Sequence, residues 1–287
     1  MTSESSAAAG ESQAGESQAG DPVSEDQQTV LDTSVAHVAR VYDYWLGGKD
    51  NFAVDRAAGE QAIAAYPDIV FSVRANRAFL ARTVRYLTAE AGIRQFLDIG
   101  TGIPTSNNTH EVAQSVAPGA RVVYVDNDPI VLAHARALLT SGPAGLTSYI
   151  DADLRNAGEI LETAAQTLDF SRPVAVVLMA ILHLIGDEDD PYGIVATLMD
   201  AVPPGSYLAL SHIASDIETE ALGDARDRVS KLMPVKQTYR SHAEVMRFFD
   251  GLDMVEPGLV RVQQWRPGSE AEAKSPAALW GGVGRKR

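Results

Sequence analysis

Three aspartates, each at the end of a short apolar run, hold the chemistry that this sequence offers. Asp98 stands in FLDIGTGIPTSNNTH (residues 96–110), Asp126 ends RVVYVD (121–126) and Asp153 ends TSYIDAD (147–153). Gly100 and Gly102, flanking Thr101, follow the first acid closely. Glycines there let the backbone turn sharply and let a ligand approach the main chain, and the next helix offers free N–H groups to an anion. A carboxylate at the end of the second strand is placed to accept hydrogen bonds from both hydroxyls of a ribose. Together these residues read as a site for a nucleotide-like ligand. A nicotinamide dinucleotide would use Asp126 equally well. Its G-x-G-x-x-G fingerprint, however, needs a glycine where Thr105 stands, and Pro104 occupies the place of a third glycine in the loop.

Such residues need a scaffold that brings them to one edge. FLDI, RVVYVD, TSYIDAD, PVAVVLMAIL and SYLALSHIA alternate with helical patterns near 108–116, 129–139, 159–168 and 192–201. Several of these runs are apolar on both faces, as strands covered by helices must be. Five of them joined by helical crossovers predict an α/β fold with a doubly wound, mostly parallel sheet that binds ligands at the carboxyl ends of its strands. Beyond helices expected near 218–232 and 242–249, LVRVQQW and AALWGGV predict an antiparallel strand pair that completes a seven-stranded sheet. Ahead of the sheet, apolar residues recur at three and four spacing over 35–46 and 71–87, with GGKDNFAVDR between them. This predicts a helical cap over 34–92, set before an α/β domain over 93–287.

Composition narrows the classes. Half of the formal charge of −14 sits in residues 1–34, where seven acids stand without a Lys or Arg, and the repeat ESQAGESQAG fills residues 11–20. A stretch this polar cannot bury enough apolar surface to offset its ordering entropy, so residues 1–33 are expected to form a disordered acidic tail. The remaining body is still acidic, which disfavours a nucleic-acid partner. The chain has no cysteine, which excludes thiolate nucleophiles and cysteine-ligated zinc and makes a reducing cytoplasm the natural compartment. Its longest apolar run, Val174 to Leu182, is too short to cross a bilayer, so no membrane association is expected. Ser72, Ser106, Ser211 and Ser241 form no nucleophile elbow, and the histidines show no metal-ligand spacing. Oligomeric state leaves no signal.

Asp98 followed by Gly-Thr-Gly resembles the first motif of Rossmann-like S-adenosylmethionine-dependent methyltransferases. RVYDYWLGGKDNFAVDR (40–56), RANRAFLARTVRYL (74–87), VVYVDNDPIVLAHARALL (122–139) and LWGGVGRK (279–286) extend the likeness to an actinobacterial family of S-adenosyl methyltransferases without an assigned substrate. The likeness covers about residues 35–287, and PPGSYLALSH (203–212) fits the class's later motif. It implies S-adenosyl-L-methionine as cofactor, with Asp98, Gly100, Thr101 and Gly102 around the methionine end. It also places Asp126 and Asn127 at the ribose, and Asp153 and Leu154 at the adenine. Arg74, or Arg77 on the same helix, could pair with the cofactor carboxylate. The expected acceptor is a small molecule.

Direct displacement at a sulfonium carbon asks mainly for alignment and exclusion of water. A base is needed only for a protonated acceptor, and His183, just past the fourth strand in AILHLIGD, is the candidate, against the alternative of a packed, backbone-bonded histidine. His212 is either a second pocket residue or structural. Tyr42, Tyr44, Lys49, Asp50 and Asn51 surround Gly47-Gly48, either as a lid hinged on the glycines or as a docked helix end. Three functions stay open: a methyltransferase, a non-catalytic binder of the cofactor or its demethylated product, and a nicotinamide-dependent oxidoreductase.

Overall fold

The computed structural model describes residues 32–138, 145–217, 219–231 and 236–287. Three helices come first: α1 (Val38–Leu46), α2 (Ala53–Ala65) and α3 (Ile69–Ala89). The alternating region follows as β1 (Gln95–Ile99), α4 (Thr109–Val116), β2 (Arg121–Asp126), α5 (Pro129–Leu138), β3 (Leu146–Asp151), α6 (Ala157–Ala164), β4 (Ala175–Met179), α7 (Pro191–Asp200) and β5 (Tyr207–Ile213). The chain closes with α8 (Thr219–Ser230), α9 (His242–Met246), β6 (Leu252–Met254), β7 (Val260–Arg261), α10 (Glu270–Ala273) and β8 (Leu279–Lys286).

Among the described residues one sheet runs β3-β2-β1-β4-β5-β8-β6, with β7 beside β8. β1 to β5 are parallel, whereas β8 is antiparallel to β5, β6 and β7. The order reverses direction between β1 and β4, which makes the carboxyl ends of those strands a crevice. Period-two alternation sorts the core into two layers. Leu97, Ile99, Val123 and Val125 face α6 and α7, whereas Phe96, Val122, Tyr124 and Val177 face the layer that holds Phe79, Leu80, Val84 and Leu87 of α3. α3 is therefore one wall of the core as well as part of the cap.

Two boundaries differ from the sequence expectation. LVRVQQW pairs with β8 over only two residues before a 3-10 turn, and the longer outer partner of β8 is Leu252–Met254, which follows Gly251 in a left-handed turn at φ +80. PVAVVLMAIL stops being a strand at Met179 because Ala180 adopts φ +51 and drops the chain into a 3-10 turn over Leu182–Leu184. The expected acidic tail lies outside the described residues, except for its last two positions. No helix among the described residues is long and apolar enough to cross a membrane.

Candidate functional site

The glycine turn after β1 uses its two glycines differently. Both take positive φ, +76 at Gly100 and +64 at Gly102, where a side chain costs about 1 kcal/mol or more. A Cβ on Gly100 would come within 2.5 Å of Ile181 Cγ1, so this glycine lets the first turn pack against the segment after β4. A Cβ on Gly102 would meet nothing within 4 Å, since that glycine faces open space. The space is a chamber of about 880 Å³, partly open to solvent, floored by Asp98, Gly100, Thr101, Gly102, Asp126 and Asn127.

Its acids are held from below. Asp126 accepts hydrogen bonds from the Gly102 N–H at 2.8 Å and the Asp128 N–H at 3.0 Å. Asp98 is 5% exposed and accepts from the Thr109 hydroxyl at 2.6 Å. Burial raises the pKa of both acids, that of Asp98 to about 6, against the Thr109 bond and the Arg77 charge. Thr101 Oγ1 and Arg77 Nε are buried here without a hydrogen-bond partner. The N-terminus of α4, expected to receive an anion, is already closed. Glu111 accepts from the Asn108 N–H at 2.8 Å, and the His110 N–H donates to the Tyr124 hydroxyl at 2.8 Å. A phosphate would meet a carboxylate there instead of free donors.

α1 forms the roof, with His37, Val38, Tyr42, Asp43 and Leu46 lining the chamber. His37 Nδ1 lies 2.7 Å from Asp128 Oδ2, and His134 of α5 lies 3.3 Å from Asp50, so two imidazole–carboxylate pairs join roof to floor. Inside the roof, the buried Asp55 accepts from the His37 N–H, Arg40 Nε and the Phe52 N–H.

A second, mostly apolar chamber of about 750 Å³, the open solvent at its mouth included, abuts the first and shares Val38, Tyr42, Asn76 and Ala180 with it. Their common wall is a chain of hydrogen bonds. The Asn76 amide donates to the Tyr42 hydroxyl at 3.1 Å, Asn76 Oδ1 accepts from the Ser211 hydroxyl at 2.6 Å, and Ser211 Oγ accepts from the Ala180 N–H at 3.0 Å. His183 lines only the second chamber. It is 5% exposed, its Nδ1 has no partner, and burial, helped by His212 and Arg240, holds its pKa down to about 3.

The structure gathers Asp98, Gly100, Thr101, Gly102, Asp126, Asn127 and Tyr42 at the first chamber and His183 at its neighbour. Other expectations need correction. Arg74 is exposed on α3 and lines neither chamber; Arg77, one turn on, reaches the first. Asp153 touches the chamber only through Asn127, whose amide donates to it at 3.1 Å, and its carboxylate is shared with Arg155. The Leu154 side chain is buried in the core. Tyr44 reaches Glu60 instead of a chamber, and Lys49 is exposed. Asp43 gathers the Asp50 N–H and the Asn51 amide around itself, and a Cβ on Gly48 would overlap its carboxylate. That loop is a fixed clamp rather than a hinge. His212 is structural, with Nδ1 against the Ile213 carbonyl and Nε2 accepting from the buried Arg240 at 3.0 Å. Asn76, Ala180 and Arg240 were not anticipated, because nothing in their local sequence marks them.

A family model described as S-adenosyl methyltransferase matches residues 24–287. A DUF574-family protein from Streptomyces avermitilis is 46% identical, with a TM-score of 0.86 over 89% of this chain and 99% of its own. A candidate methyltransferase from Thermobifida fusca is 41% identical, with a TM-score of 0.83 over 89% and 97%. A SAM-dependent methyltransferase from Anabaena variabilis, 14% identical, has a TM-score of 0.51 over 88% of this chain and 96% of its own, a likeness of fold alone. No curated protein matches the chain. With the family model matched over nearly the whole chain, the chain belongs to the S-adenosyl methyltransferase family.

Proposed function

We propose that this S-adenosylmethionine-dependent enzyme methylates a small molecule, with the cofactor in the glycine-turn chamber and the acceptor in its neighbour. One observation carries this reading: two chambers adjoin and have Val38, Tyr42, Asn76 and Ala180 in common, so a donor in one can face an acceptor in the other. When bound, S-adenosylmethionine supplies a methyl on a positive sulfur, which leaves as a neutral thioether. The open face of Gly102 and the unpartnered Thr101 Oγ1 and Arg77 Nε suit such a ligand. Asp126 is oriented to take the ribose hydroxyls, and Asp98 gives a cationic end an anionic partner. The roof helix covers part of the chamber and limits the access of water. His183, so weak a base, acts by a hydrogen bond to the acceptor rather than by removing its proton beforehand. The self-capped α4 speaks against the pyrophosphate of a nicotinamide dinucleotide. The acidic body speaks against a nucleic-acid partner.

Thermal-shift titration tests the reading, since a ligand of the native state raises the melting temperature by mass action. S-adenosylmethionine and S-adenosylhomocysteine should each shift it, and NAD and NADP should not. A shift with NAD alone would overturn the assignment.

A further inference from the structure

We infer that the acceptor is an uncharged, mainly apolar molecule held in the second chamber, with one hydrogen-bonding group turned to Nδ1 of His183. The inference rests on the cofactor occupying the first chamber. Among the described residues, no Asp, Glu, Lys or Arg side chain lines the second chamber. Trp45, Tyr66 and Tyr239 supply aromatic surface instead, with Val41, Ile213 and Leu222 between them. An ion entering this space would lose its hydration without gaining a counter-ion, a heavy penalty. A neutral ring would bury apolar area at no such cost.

The polar groups at the wall are mostly engaged already. Tyr42 and Asn76 are bonded to each other, Ser72 Oγ accepts from the Ala278 N–H, and Trp45 donates to the Gly59 carbonyl. His183 differs. Its Nδ1 is buried without a partner, in a ring carried by the 3-10 turn after β4 and set edge-on to His212, whose centroid lies 6.2 Å away. A buried nitrogen left unmatched in the native state is satisfied most simply by the ligand. His183 is thus a specificity residue that selects for one hydrogen-bonding group on an otherwise greasy molecule.

Calorimetry on the full chain saturated with S-adenosylhomocysteine tests this, with 2-naphthol, naphthalene, 2-naphthoate and 2-naphthylmethylammonium as probes at pH 7.5. We expect 2-naphthol to bind at least ten-fold more tightly than either charged probe. Ala225→Phe, which fills the chamber from α8, should weaken 2-naphthol ten-fold or more while leaving S-adenosylhomocysteine unchanged; Ala225→Val serves if phenylalanine unfolds the chain. His183→Leu should remove the preference for 2-naphthol over naphthalene. A charged probe binding as well as 2-naphthol, no binding by either neutral probe, or no response to filling the chamber would overturn the inference. Failure of S-adenosylhomocysteine itself to bind would instead sink the cofactor reading beneath it.

Discussion

The glycine-turn chamber and the chamber of His183 share a wall, yet they handle charge differently. The first is lined by Asp43, Asp98, Asp126, Arg77 and His37, whereas the described residues of the second carry only neutral groups. Burial favours the neutral form in both, raising Asp98 to about 6 and lowering His183 to about 3. At neutral pH the outcomes part. His183 rests in its preferred state, while Asp98 is ionised against the pull of its surroundings. A ligand with a positive end relieves that tension in one chamber, and only a neutral ligand avoids creating it in the other.

The contrast can be broken at several points. The largest effect should come from Asp126→Ala, which under the proposed cofactor placement removes two charge-assisted bonds to a ribose, about 3–6 kcal/mol together, and should weaken S-adenosylhomocysteine at least about a hundred-fold by calorimetry. Unchanged affinity would mean that the sugar lies elsewhere. Next is Asp98→Asn, which keeps an acceptor for Thr109. A carboxyl raised to about 6 in the native state against 3.8 unfolded binds more protons when folded, so its contribution is most favourable below the unfolded value and is lost as pH rises through 6. At pH 7 the variant should be more stable than the parent by up to about 3 kcal/mol in denaturant titrations, yet bind the cofactor less well. A less stable variant would show that Asp98 is paired, not stranded.

His183 should respond with the opposite sign. An imidazole held near 3 when folded and titrating at 6.5 when unfolded takes up protons on unfolding, so stability falls as pH drops below 6.5. Between pH 7 and 5 this amounts to about 2 kcal/mol, and His183→Gln should remove it from the pH profile; His212 would keep its own share. An identical profile in the variant would place His183 in a wetter environment. The smallest effects belong to the glycines. Gly102→Ala should cost about 1 kcal/mol of backbone strain while impairing cofactor binding, and Gly100→Ala should cost more, through its overlap with Ile181. Equal costs would erase the distinction between packing glycine and ligand glycine.

The first chamber was largely legible in the sequence because its parts are local. Asp98, Gly100 and Gly102 sit within five residues, and Asp126 closes a strand whose periodicity announces it. The second was not. Its walls run from Val38 to Leu279 and come from helices and strands that only the completed sheet brings together. Arg74 and Arg77 occupy one amphipathic helix, and the pattern alone did not fix its rotation closely enough to choose between them. Ala180 gave no warning of a left-handed backbone, since alanine has no preference for one. β6 was overlooked because its three residues, Leu-Asp-Met, are too few to declare a period. The polar run after α1 looked like a hinge because glycines and polar residues serve hinges and clamps alike, and only the position of Asp43 decides.

The shared wall has a kinetic corollary. Under the proposed direct displacement between two rooms that have Val38, Tyr42, Asn76 and Ala180 in common, both reactants must be present at once for transfer to occur. Initial-rate plots should therefore intersect, as for a sequential mechanism, rather than run parallel as they do when an enzyme is alkylated in passing.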